Sequence, residues 1–173
     1  MAAAKSRVLG LVLGLLLVAA CSFTPLYGTG GTSDNGPALG AAITVAPIPD
    51  RLGQQVRNAL LDRLDPLAGN AAPSFRLEVD VAEDSQGGGY RPDKAITRTT
   101  LRLKARFRLI DLGQNKPVFD DTGQATVSYN VVQSDFANLS AANSARERAT
   151  DILAGRIVEM LALFLRDRKT DTD

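Results

Sequence analysis

The sequence predicts an α+β domain of order β-α-β-β-β-α, two helices packed on one face of a four-stranded mixed sheet. Three observations lead there. Apolar residues recur at spacings of three and four near residues 52–64 and 145–164, which is the period of a helix covering a core. They recur at a spacing of two in three stretches between 75 and 131, which is the period of half-buried strands. A short β-branched run before the first helical stretch adds a fourth strand, and a strand-helix-strand unit requires a crossover, so the sheet is mixed.

In chain order, Ala42 to Ile48 is apolar and β-branched and meets Pro47, Pro49 and Asp50, so it reads as a strand ending in a turn. Asp50 is placed to cap a helix whose stripe is Leu52, Val56, Ala59, Leu60 and Leu64, and Pro66 and Gly69 stop it. Phe75, Leu77, Val79 and Val81 then face inward, with Arg76, Glu78 and Asp80 outward. Glu83 to Asp93 reads as a loop, and Gly87-Gly88-Gly89 as a flexible turn within it. Thr97 to Asp111 carries Leu101, Leu103, Ala105, Phe107 and Leu109 inward, and Leu112 to Asn115 makes a turn. Val118 to Val131 places Phe119, Ala125, Val127 and Tyr129 inward, with Gly123 marking a bulge or a close approach. The last helix, Ser140 to Arg168, offers the longest apolar face: Ala145, Ala149, Ile152, Leu153, Ile157, Met160, Leu161 and Phe164. Arg166, Arg168 and Lys169 suit its C-terminal dipole, and residues 169–173 read as a frayed tail.

The chain opens with Lys5 and Arg7 and no acid, followed by Val8 to Val18 without a polar side chain. About 11 residues make a helix of about 16 Å, roughly half a hydrocarbon core, so residues 1–20 target the chain and do not span. Val18-Ala19-Ala20 then precede Cys21, the one cysteine of the sequence. This stretch resembles the lipobox of bacterial lipoproteins, in which the thiol takes diacylglycerol and cleavage falls before the cysteine. Two or three acyl chains at about 0.8 kcal/mol per buried CH₂ hold far more firmly than one. The alternative is an ordinary secretory signal whose cleavage site lies beside a free thiol. Ser22, where an Asp favours inner-membrane retention in sorted lipoproteins, points to the outer membrane, facing the periplasm. Residues 21–41, rich in Gly, Thr and Ser, read as a tether reaching about 25 Å. In it Phe23 and Tyr27 are placed to lie at the interface or to dock on a partner, or are merely sticky.

Without its leader the chain has about 153 residues, one domain (42–168) and a tether. With Lys5 and Arg7 gone from the 20 basic residues of the full sequence, 18 basic stand against 19 acidic residues and give no general reason for nucleic-acid binding. It contains no His and no Trp, and lipidation occupies the one thiol, so the commonest metal ligand, general base and nucleophile are missing. No phosphate loop, Gly-x-Ser-x-Gly or His-Glu-x-x-His is present. Neither catalysis nor a cofactor nor a metal is expected. Asn138-Leu139-Ser140 fits a glycosylation sequon to which no role is given.

The densest basic feature is Arg102, Lys104, Arg106 and Arg108, projecting from one strand face about 6.6 Å apart. Such a ladder can meet several phosphates or carboxylates. The alternative is a solvated face that Glu78 and Asp80 partly neutralise across strands. Arg91 and Lys94 could act similarly at a loop tip, and Tyr90, Tyr129 and Phe136 are candidate partner-facing aromatics, although core packing accounts equally for Tyr129.

Several segments stand out in order: Cys21-Ser22-Phe23-Thr24-Pro25-Leu26-Tyr27-Gly28, Arg57-Asn58-Ala59-Leu60, Ser128-Tyr129-Asn130 leading to Ser134-Asp135-Phe136-Ala137, Arg146-Glu147-Arg148-Ala149, and Leu153-Ala154 to Ile157. Together they resemble the LPS-assembly lipoproteins of the LptE family, in the alphaproteobacterial form. Relatives commonly have Gly at the position of Ser22. The resemblance implies a small domain that plugs the outer-membrane β-barrel LptD, helps it assemble and assists lipopolysaccharide transport to the cell surface. It would make the basic ladder a contact for lipid A phosphates or inner-core sugars. Two rivals are an accessory lipoprotein of another envelope lipid transporter and a cell-wall hydrolase working with Asp, Glu, Ser or Lys alone.

Overall fold

Pro47 and Pro49 keep the first strand short. In the computed structural model, which describes residues 43–65, 72–90 and 96–170, β1 is Ile43–Val45 and pairs in parallel with the start of β2, Phe75–Tyr90. One further bond, Ala46 N–H to Leu77 O at 2.9 Å, closes the pairing before the prolines, which lack a donor, turn the chain into α1, Asp50–Leu64. The expected capping by Asp50 does not occur. Pro49 holds the cap position without a side-chain bond, and Asp50 begins the helix with φ 65°. Gln54 Nε2 donates to Ile48 O at 2.8 Å instead. Ile48 packs so closely that a Cβ on Gly53 would lie 2.6 Å from its Cγ2, a constraint that the helical period does not reveal.

The three remaining strands form an antiparallel meander on β1, in the order β1-β2-β3-β4, with β3 at Ile96–Asp111 and β4 at Lys116–Asn130. The largest departure from expectation lies in β2. Glu83 to Tyr90, expected to be loop, continues the strand, and Gly87 and Gly88 pair with Thr99 and Arg98. The ladder is held by backbone groups, so a β-branched partner strand can carry glycines that lack strand character of their own. Thr97 Oγ1 donates to Gly89 O at 2.9 Å, where Gly89 has φ 71°.

The β3-β4 turn is fixed by Asp111, whose Oδ1 accepts from the N–H groups of Gly113 at 2.9 Å and Gln114 at 3.2 Å. Burial pushes its carboxyl up, but these two N–H groups and Arg168 together hold it below the usual range. The bulge anticipated at Gly123 falls between Leu109 and Ile110 instead. At Gly123 the α2 side chains pack onto the strand, and an added Cβ would meet Leu153 Cδ1 at 3.4 Å, an ordinary contact.

The second helix, α2, spans Asp135–Thr170 and so begins five residues before the expected Ser140 and runs past Arg168. Ser134 caps it, its Oγ accepting from Ala137 N–H at 3.3 Å. Asn138, the residue of the sequon, clamps the incoming chain: it accepts from Val132 N–H at 2.9 Å and donates to Val132 O at 2.8 Å. Inward residues of both helices and all four strands make one core, in which Val56, Leu60, Leu64, Leu77, Leu103, Phe107, Leu109, Leu153, Ile157 and Leu161 are fully buried. Ile152, expected to face the core, is 43% exposed. At the far end Phe119 stacks on Phe164, with centroids 4.7 Å apart, and Arg168 lies over Phe75 and bonds Asp111 at 3.2 Å, seating the helix C-terminus on the turn.

Candidate functional site

Both helices cover one sheet face, so the even-numbered side chains of β2 to β4 form the other. Arg102, Lys104, Arg106 and Arg108 share this face, but each neighbours residues that the β3 alternation alone does not identify. Register sets Arg108 between Glu78 and Asp120, Arg106 between Asp80 and Thr122, Lys104 between Ala82 and Gln124, and Arg102 between Asp84 and Thr126. Three of the four make ion pairs. Arg108 reaches Glu78 at 3.4 Å and Arg102 lies 4.0 Å from Asp84. Arg106 forks onto Asp120 with bonds of 3.1 and 2.8 Å. Hydrogen bonding and charge from Arg106 hold the Asp120 carboxyl below its usual range, and Asp120 raises the guanidinium in return.

Lys104 differs from the other three: among the described residues it has no acid within ion-pair distance, since its neighbours across both strands are the small Ala82 and the neutral Gln124. Ala82 leaves room above the sheet. Lys104 stands with Asp80, Arg106, Thr122 and Gln124 around a shallow depression of about 730 Å³. The basic ladder is therefore a set of cross-strand pairs with one accessible ammonium among them. Chemically it can bind an anion at Lys104 and the exposed side of Arg106, but offers no nucleophile-base pair. Among the described residues no three His, Cys, Asp or Glu side chains gather to hold a metal ion.

The other candidates divide. Tyr129 sits on the helix-covered face opposite Thr99, partly buried against the core. Phe136 is 82% exposed in the first turn of α2, and Val132 and Leu139 beside it in sequence are 50% and 62% exposed. Leu139 escapes the sequence reading because the expected helix starts at Ser140, and Ser134 followed by Asp135 is the signal for the earlier start; Val132 precedes the helix and carries no such signal. Cys21, Phe23, Tyr27, Arg91 and Lys94 lie outside the described residues, as do Pro66 and Gly69, and Tyr90 is described only as the last residue of β2.

The family model described as "Lipopolysaccharide-assembly" (LptE) matches residues 40–162. Among solved structures, a protein of Caulobacter crescentus described as a lipoprotein superposes with a TM-score of 0.62 at 23% identity, over 74% of this chain and 92% of that one. A minor lipoprotein of Acinetobacter baumannii gives 0.57 at 18% identity, over 71% and 91%. The rare lipoprotein B of Shewanella oneidensis gives 0.57 at 14%, over 74% and 97%. At these identities the structures show a shared fold. No curated protein matches the chain. With the match spanning the whole folded domain from before β1 into the last turns of α2, the chain belongs to the LptE family of lipopolysaccharide-assembly proteins.

Proposed function

We propose that this chain is an outer-membrane lipoprotein, anchored through Cys21 on the periplasmic side, that plugs and helps assemble the LptD β-barrel and assists lipopolysaccharide transport to the surface. The observation that carries this is the family match over residues 40–162, downstream of a lipobox-like segment ending in the one cysteine. In this reading the protein is a non-catalytic accessory without a cofactor. Its folded domain supplies binding surfaces, and the tether 21–41 with Phe23 and Tyr27 lets them reach the barrel. The exposed Phe136 supports a partner-facing role for the start of α2, and Tyr90 and Tyr129 are proposed as further barrel contacts.

For lipopolysaccharide, the contact we propose is the outer sheet face with Arg102, Lys104, Arg106 and Arg108, joined by Arg91 and Lys94. Lys104 carries most of the effect, because among the described residues no acid lies within ion-pair distance of its ammonium. The test of the function is purification of the tagged protein from detergent-solubilised outer membrane: a large β-barrel in roughly equal amount is expected. Recovery with an inner-membrane transporter component, and no barrel, overturns the assignment. The ligand face is tested separately with Lys104→Glu, which leaves the three ion pairs intact. Lipopolysaccharide binding is expected to weaken several-fold at low salt and less at high salt. Unchanged binding at low salt removes the sheet face from the proposal.

A further inference from the structure

The two edges of the sheet are treated differently. Along β4 the backbone groups of Thr122 and Gln124 point away from β3, and one group of each is occupied: Asp121 Oδ1 accepts from Thr122 N–H at 2.7 Å, and Arg156 Nη1 donates to Gln124 O at 2.7 Å. Such local bonds blunt an edge against further pairing. Along β2, β1 covers only Phe75 to Leu77, because Pro47 and Pro49 take the chain away. Leu77 O accepts from Ala46, so the same alternation turns the N–H and C=O groups of Val79, Val81, Glu83, Ser85 and Gly87 outward along an edge of roughly 30 Å. Among the described residues no strand and no side chain bonds to them. Ala82 to Gly87 are all exposed.

We infer that the β2 edge from Val79 to Gly87 is a docking site for an extended segment of a partner polypeptide bearing basic residues at alternate positions, which adds a fifth strand to the sheet. Charge selects this occupant. An added strand sets its side chains beside Asp80, Ala82 and Asp84 on the outer face. Asp80 makes no ion pair within 4 Å among the described residues, and Asp84 is held only by the 4.0 Å ion pair with Arg102 and a 3.4 Å hydrogen bond from Gln86 Nε2 among them. Two carboxylates four residues apart thus meet two cations of a strand, while Ala82, Ser85, Gly87 and Gly88 leave room for long side chains. A second copy of this chain is disfavoured: antiparallel registers centred on Ala82 or Glu83 set Asp80 against Asp84 or Glu83 against itself. The inference stands apart from the proposed outer-membrane function.

The test uses the mature protein, a soluble peptide alternating lysine and valine, the same peptide N-methylated at alternate residues, and a peptide alternating glutamate and valine. The lysine peptide is expected to bind, and to slow amide exchange at Val79, Val81, Glu83, Ser85 and Gly87. The other two peptides are expected to bind at least tenfold more weakly. Ser85→Pro removes one outward donor without touching the ladder to β3, and should weaken binding at least tenfold. The double variant Asp80→Lys, Asp84→Lys changes no backbone group and should do the same, so the inference remains testable if the proline variant does not fold. No binding, binding indifferent to the charge variant, or protection at β4 instead of β2 overturns it. So does concentration-dependent dimerisation through this edge.

Discussion

Leu153 and Ile152 are adjacent on α2, both apolar, and both belong to the apolar spacing from which the helix is inferred. The structure separates them: Leu153 is fully buried against Gly123, whereas Ile152 is 43% exposed. Leu153→Ala removes three carbons, about 2.4 kcal/mol at 0.8 kcal/mol each. The cavity is slow to collapse, because the facing residue is a glycine with no side chain to move in, and the total should reach about 3–4 kcal/mol. Ile152→Ala loses part of that burial and gains helix propensity, leaving a cost of about 0.5–1 kcal/mol. Urea unfolding of the mature protein by circular dichroism reads both as midpoint shifts at an unchanged slope. Equal losses at the two positions, or less than about 1 kcal/mol at Leu153, would refute the placement of α2 over β4.

Gly53→Ala should destabilise by about 1–2 kcal/mol despite alanine's helix preference, because its Cβ would lie 2.6 Å from Ile48 Cγ2. Gly123→Ala meets ordinary contact at 3.4 Å and should change stability by less than about 1 kcal/mol; the same unfolding assay ranks the pair. Asn138→Ala loses both bonds to Val132 and should cost about 1–2 kcal/mol, with faster amide exchange at Val132 and in the first turn of α2. Because Arg106 depresses the Asp120 carboxyl, their pairing stabilises the fold above the unfolded carboxylate's ordinary value and is lost as pH falls through the lower folded value. The stability gap between the wild type and Arg106→Gln should therefore be open at neutral pH and close below about pH 4 in acid-unfolding scans. A gap that persists at pH 2 would show that charge is not its source.

The order of elements, the sheet's inward residues and the polarity of its outer face are all written in local periodicity, since a strand repeats every two residues and a helix every 3.6. Val79, Leu103, Phe107 and Leu161 could be assigned to the core on that basis alone. The resemblance of the residues before Cys21 to a lipobox is equally local, because it is read from neighbouring residues alone. What the tertiary structure decided depends on partners distant in sequence. Gly87 and Gly88 are strand because Thr99 and Arg98 stand opposite them, and Gly53 is required because Ile48 folds back onto it. Arg106 and Arg108 are balanced by Asp120 and Glu78, while Lys104 is not, which only the register across three strands determines. Sequence assigned four cations to one face; packing left a single ammonium there with no acid within ion-pair distance among the described residues, because charge is neutralised through space rather than along the chain.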